Sequence, residues 1–376
     1  MTIALAVVMI FFQLMISGQG KGSLFDPTNI SNLISQNGYV VILATGMLLC
    51  ILTGGNIDLA IGSTVALVSA LAGVMIVNMK LNIYVAILVC LVFGALLGAW
   101  QAFWIAYMKI PSFIVTLAGM LTFRGLAWII LDGKTISPFP KNFSNIFNSF
   151  LPGAGSSAAT LSMIVAGVIC LLFVGMQIFF RIQKTKKGYE VEPIGMMIAK
   201  IVIICAVVIA AFWLLGQDRG IPLVLILLAA VIMIYSYYTQ NTVSGRYLYA
   251  MGGNEKAARL SGVNTKKMMF FAYTNMGFLS AVAAMVCVAR FNSAAPSAGN
   301  NYELDAIGAC YIGGASAYGG VGTVWGAVIG AIFVGVVNNG MSILGIDQNW
   351  QRTVKGLVLL AAVIFDVLSR KRKQKA

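Results

Sequence analysis

Residues Arg246–Lys267 read RYLYAMGGNEKAARLSGVNTKK, the most strongly helix-coded polar stretch in a chain that is otherwise nearly all apolar. Asn254 is placed to cap a short helix that opens at Glu255, where a carboxylate suits the positive end of the helix dipole. Gly262 stands where helices commonly end. The helix would be roughly 12 Å long at about 1.5 Å per residue. Such an element reads in two ways: as a helix that presses on a partner, or as an ordinary solvated loop, since most charged runs are just that.

What surrounds it fixes the class. Of 376 residues, 60% are hydrophobic and only 10% charged, and the mean hydropathy is +0.91; soluble domains carry roughly 25% charged residues. Apolar runs long enough to cross a bilayer recur from end to end, which predicts an all-α, polytopic helical membrane protein. Ten to twelve spans are expected, the candidates being 2–17, 35–53, 58–77, 82–107, 112–131, 158–181, 197–215, 221–239, 268–290, 303–318, 321–344 and 350–368. The tenth is short and glycine-rich, so it reads equally as a re-entrant segment. No stretch is long and polar enough to form a separate soluble domain, and residues 1–376 read as one transmembrane domain. The N-terminus has no basic region ahead of its apolar run and no convincing cleavage site, so residues 2–17 are expected to be a retained span.

The net charge of +14 does not indicate nucleic acid, because the cations lie between spans. Arg181, Lys184, Lys186 and Lys187 form one cluster. Arg246, Lys256, Arg259, Lys266 and Lys267 form a second, and Arg370 to Lys375 a third. Twelve crossings put all three on one side, which the positive-inside pattern assigns to the cytoplasm. Both termini are then cytoplasmic, with a basic tail at 369–376 and a cytoplasmic segment at 241–267. The opposite face receives a long loop at 132–157, rich in Pro, Asn, Ser and Phe.

Catalytic chemistry finds no foothold. Histidine is absent, and with it the commonest general base and metal ligand. Cys50, Cys90, Cys170, Cys205, Cys287 and Cys310 all lie in apolar runs without metal-ligand spacing and read as small buried hydrophobes. No phosphate-binding G-x-x-x-x-G-K-[ST] loop is present. Neither an enzyme nor a metal site is expected.

The polar residues inside or beside spans need a reason, since an acid at the bilayer centre costs about 2.5–3.5 kcal/mol on insertion scales. In Thr53-Gly54-Gly55-Asn56-Ile57-Asp58 the glycines break the helix, and broken helices at depth usually line a cavity. Asn56, Asp58 and Ser63 therefore read as facing a polar pathway. The alternative places Asp58 at the water interface, capping the third span. Gln101, Arg124, Asn275, Asn338 and Asn339 are further pathway residues or, equally, clasps between helices. Arg290, Glu303 and Asp305 are expected at the outer face as loop ion pairs or caps. Gly94 and Gly98, and Gly322, Gly326 and Gly330, recur every four residues and predict ridges of close helix packing.

Four ordered motifs carry a likeness. TGGNIDLAIGS (53–63), KIPSFIVTLAGMLTFRGLA (109–127), YAMGGNEKAARLSGV (249–263) and YELDAIGACYIGGASAYGGVGTVWGAVIGA (302–331) resemble the permease subunits of bacterial monosaccharide ABC importers, of the xylose and multiple-sugar type related to the ribose permease. The likeness runs from about residue 30 to the C-terminus. The extra apolar pair around 158–215 fits the longer xylose type. Ala60 departs from the serine usual there, so no hydrogen-bonding role is carried to it.

The resemblance implies a permease in the bacterial cytoplasmic membrane that moves a monosaccharide by alternating access. It implies a second copy of the permease, a cytoplasmic ATPase that holds ATP and Mg, and an extracytoplasmic sugar-binding protein as partners. It places coupling to the ATPase on Gly253, Asn254, Glu255, Ala257, Ala258 and Arg259. The competing expectations are a facilitator or secondary transporter acting alone, with Asp58 as its ion site, and an ABC permease for another small solute, such as a nucleoside or branched-chain amino acid.

Overall fold

The computed structural model describes residues 2–152, 156–189 and 191–375. The helices in chain order are α1 (Thr2–Gly18), α2 (Pro27–Leu52), α3 (Ile61–Gly73, continued by a π-helical turn Val74–Asn78), α4 (Ile83–Ala106), α5 (Ser112–Leu131), α6 (Lys141–Asn148), α7 (Ser156–Lys186), α8 (Ile194–Gln217) and α9 (Leu223–Asn241). They continue with α10 (Val243–Gly253), α11 (Glu255–Leu260), α12 (Thr265–Phe291), α13 (Tyr302–Ile312), α14 (Val324–Ile343) and α15 (Gln348–Lys375). Two short strands, β1 (Phe150–Pro152) and β2 (Gly220–Pro222), pair antiparallel. Among the described residues, nine helices are long and apolar enough to cross a membrane. The chain is a polytopic helical membrane protein.

Among the nine candidate spans, the least apolar sit inside. In α2, 89% of the apolar window is buried, and its run is interrupted by Ser31, Ser35, Asn37, Gly38, Thr45 and Gly46, all of them buried. In α7 and α8, which are among the most apolar runs, only 6% is buried. In lipid, small and polar residues mark the faces that meet other helices, while uniformly aliphatic faces are left to the acyl chains. Helices α2, α3, α12 and α14 thus form the centre. The α7–α8 hairpin packs mainly on itself; β1 and β2, which flank it, pair with each other at its base, and α8 touches α2.

Close approach of α4 and α12 depends on glycine. A Cβ on Gly94 would meet Ala281 and the Gly277 carbonyl, and one on Gly98 would strike the Tyr273 carbonyl. The α13–α14 contact is similar: Gly326 lies against the Gly313 carbonyl and Gly330 against that of Ala309. Gly322 does not belong to this ridge, because α14 begins only at Val324 and Gly322 lies in the preceding turn.

The tenth expected span is half a span. Helix α13 covers eleven residues, roughly 16 Å at 1.5 Å per residue, against a hydrocarbon core of about 30 Å. Gly313 and Gly314 end it, and Gly314, Gly319 and Gly320 all take positive φ. The loop at 132–157 is partly ordered into α6 and β1; its residues 153–155 lie outside the described residues, as does Ala376 of the basic tail. That tail continues α15 as helix to Lys375.

Asp305 and Lys355 correct another expectation. Asp305 is not a loop residue: it is buried in α13 and sits 2.9 Å from Lys355 of α15. It also accepts from the Tyr39 hydroxyl at 2.9 Å, and Tyr39 in turn stacks on Tyr302. Arg290 donates to Asn32.

Candidate functional site

Helix α9 leads from β2 to α10, so the bundle has a strand end and, opposite, an end that carries α11. At the latter end the chain turns sharply between α10 and α11. The Thr242 hydroxyl accepts from Gly245 N–H at 3.0 Å and starts α10. The Asn254 side chain accepts from Ala257 N–H at 3.0 Å and starts α11, the cap that the sequence spacing predicts. Ala258 is buried, whereas Glu255, Lys256 and Arg259 are exposed. The helix therefore anchors one small residue inward and offers its charged face outward.

Behind this elbow lies a cavity of about 420 Å³. Thr53, Gly54 and Asn56 form one wall, Lys109, Pro111 and Ser112 another, and Gly252 to Glu255 the third. Ser112 donates to the Asn56 carboxamide oxygen at 2.9 Å, and Asn56 donates to the Thr53 hydroxyl at 3.2 Å. Lys109 and Glu255 face one another across the mouth at 4.0 Å.

Two breaks in the helical framework converge from here. The first is Thr53 to Ala60, between α2 and α3. Its Asp58 is buried, and one carboxylate oxygen accepts from Ala60 N–H at 2.8 Å; the Ile57 carbonyl accepts from Tyr273 at 3.2 Å. Asp58 is therefore buried and holds the turn into α3 by its own side chain. The second break is Asn292 to Asn301. Ala294 bridges to Ile136 near the strand end. Arg124 of α5 donates to the carbonyls of Pro296 and Ala298, and Gly299 rests on Gly62 at the start of α3. Arg124 lies seven residues before Leu131, roughly 10 Å inside the end of its helix, so this loop dips into the bundle. The first turns of α3 and α13 meet at that depth. Glu303, in the first turn of α13, reaches Gly62, where a helix N-terminus favours a carboxylate.

The pathway residues expected from sequence fall into two groups: Asn56, Asp58, Ser63 and Gln101 lie along the α2–α3 break, where Gly119 touches both Ala60 and Gln101, whereas Asn338 and Asn339 lie on α14. Asn56 lines the cavity at the α11 end. Asp58 and Ser63 are buried around the start of α3, and Gln101 is buried beside Gly119 where α4 meets α5. Asn338 shares a water-sized cavity of about 20 Å³ with Asp305 and Lys355. Asn339 and Asn29 exchange two amide hydrogen bonds at 2.9 and 3.0 Å, clasping α14 to α2. Asn275 accepts from Tyr235 across α9 and α12.

Sequence reasoning missed Lys355, Lys109, Ser112 and Tyr249. For Lys355 a signal existed, since one expected span carries cations, Arg352 and Lys355, and another carries acids, Glu303 and Asp305, and ionisable groups inside spans usually pair. Tyr249 of α10 donates to the Gly322 carbonyl at 2.8 Å. Burial raises its phenol above the ordinary value, which keeps the proton on the donor.

Comparison with known proteins gives one consistent family. The chain is 38% identical over 372 residues to the xylose transport system permease protein XylH of Escherichia coli (strain K12), covering 99% of this chain and 92% of the relative. The XylH protein of Haemophilus influenzae is likewise 38% identical, with 99% and 96% covered. The ribose import permease protein RbsC of Escherichia coli (strain K12) is 33% identical over 344 residues, with 92% and 87% covered. No solved structure matches the chain. Residues 29–363 match the family described as branched-chain amino acid transport system / permease component. With both breaks and the capped elbow inside the matched range, the chain belongs to that family of transport permeases.

Proposed function

We propose that this chain is the membrane permease subunit of an ATP-driven importer for a monosaccharide such as xylose, working in the cytoplasmic membrane of a bacterium. The observation that carries the reading is the likeness to xylose permeases over 99% of the chain. Two copies form the pathway. A cytoplasmic ATPase binds ATP and Mg and supplies the energy, and an extracytoplasmic binding protein delivers the sugar.

The α11 end is the cytoplasmic one, in keeping with the basic residues of 246–267 and the positive-inside pattern. Gly253, Asn254, Glu255, Ala257 and Arg259 form the contact with the ATPase, and Ala258 anchors the helix beneath them. The exposed charges of α11 support this assignment, because charged residues at a rim steer and register a partner more than they add affinity.

The test is reconstitution in vesicles with radiolabelled D-xylose. Uptake is expected only when the permease, its ATPase, its binding protein and ATP are all present. Glu255→Ala with Arg259→Ala is expected to weaken co-purification of the ATPase and lower uptake. Xylose flux through the chain alone, without ATP, would overturn the proposal in favour of a facilitator.

A further inference from the structure

The end of α10 is seated on main chain, not on side chains. A Cβ at Gly252 would coincide with the Leu52 carbonyl and the Gly320 amide. Gly320 N–H donates to that same Leu52 carbonyl at 3.2 Å. A Cβ at Gly319 would fall on the backbone of Gly54. One turn back along α10, the Tyr249 hydroxyl holds the Gly322 carbonyl at 2.8 Å. Three segments far apart in sequence, 52–55, 249–253 and 317–322, are thus stacked backbone on backbone.

Each of the two partner segments leads to the place where α3 and α13 begin. Residues 53–60 run directly from the junction to Asp58 and the start of α3. The turn 313–322, closed by Ser316 N–H donating to the Val321 carbonyl at 2.8 Å, is joined to α13. That half-helix is a rod of roughly 16 Å whose far end carries Glu303. The other side of the elbow is open. The 420 Å³ cavity separates α11 from the α4–α5 turn, and the ion pair across its mouth is long and between half-exposed groups, a contact of small energy.

We infer that Gly252, Gly320 and Tyr249 are positioning residues of the transport cycle: they lock the end of α10 to both helix breaks, so that displacement of α11 into the adjoining cavity moves residues 52–58 and α13 together. The inference rests on the reading that α11 meets an ATPase. It assigns the transmission to backbone contact, with the Tyr249 hydroxyl as an added tie, because close-packed interiors compress little and transmit strain.

The experiment uses the assembled transporter in vesicles and reads three quantities: co-purification of the ATPase, ATP hydrolysis, and xylose uptake per ATP hydrolysed. Gly252→Ala inserts a methyl where two backbones touch. It is expected to keep the ATPase bound and hydrolysing while uptake per ATP falls at least tenfold. Tyr249→Phe removes only the hydroxyl, and a fall of about threefold in the same ratio is expected. A merely structural role would lower assembly, hydrolysis and uptake in proportion and leave the ratio unchanged, and that result overturns the inference. If Gly252→Ala fails to assemble, Tyr249→Phe decides by the same ratio. The Glu255 and Arg259 variants act on assembly itself, so failure of the ATPase contact is told apart from failure of the backbone linkage.

Discussion

Lys355→Met is the perturbation whose size follows most directly from the structure. The Lys355 ammonium stands 2.9 Å from an Asp305 carboxylate oxygen, with side-chain exposures of 21% and 2%. At that distance, with an effective dielectric constant of about 20, the Coulomb attraction is roughly 6 kcal/mol. Desolvation of two ions costs several kcal/mol each, so the pair as a whole is close to neutral against an apolar replacement. Removing one partner is different. Lys355→Met leaves Asp305 buried with the Tyr39 hydroxyl as its remaining side-chain donor, and a stranded buried charge costs about 3–5 kcal/mol. Asp305→Asn is milder, about 1–2 kcal/mol, because the partly exposed ammonium can extend toward a more polar surrounding. The double variant should return to within about 1 kcal/mol of the parent. The assay is a double-mutant cycle on equilibrium unfolding in mixed micelles. A Lys355→Met cost under about 1 kcal/mol, or strict additivity of the two substitutions, would refute the account of α13 as a half-helix held to α15 by a buried charge.

Two further outcomes follow from the packing. Gly98→Val must push the α4 backbone away from the Tyr273 carbonyl and Gly277, and a loss near the upper end of the about 1–3 kcal/mol seen for overpacking is expected; Gly125→Ala on neighbouring α5, with nothing within 4 Å, should stay within about 0.5 kcal/mol, and equal unfolding midpoints for the two would contradict the close α4–α12 contact. In the Asn29–Asn339 amide exchange, a cycle of Asn29→Ala and Asn339→Ala should give a coupling of about 0.6–1.7 kcal/mol, the range of interhelical hydrogen bonds in membranes, and a coupling indistinguishable from zero would show that the two amides do not clasp α14 to α2.

What could be read from the sequence was what is local. The Asn254 cap, the charged face of α11 and the alternation of apolar runs with basic loops depend on residues within a few positions of one another, and each was legible. Helix α13 was legible only as a doubt: its composition is that of a span, and only the positive-φ glycines that follow it fix its length. Asp305 looked like an outer-face residue because its partner lies 50 positions away. The same holds for the elbow, where Gly252, Leu52 and Gly320 meet across separations that no periodicity encodes. Gly322 fitted a four-residue rhythm that the structure breaks with a turn. The polar residues beside spans were rightly flagged as needing partners, but their spacing could not say whether each found a clasp, as Asn339 did, or a cavity, as Asn56 did.

The α7–α8 hairpin has a practical consequence. At its base β1 pairs with β2 over three residues and α8 touches α2, while most of the apolar surface of its two helices is left uncovered by the other spans. A folded marker domain grafted between Lys186 and Ile194 would therefore ride on a stalk anchored at the far side of the bilayer. It would add mass and a recognisable outline for single-particle imaging without resting on the elbow, the cavity or either helix break.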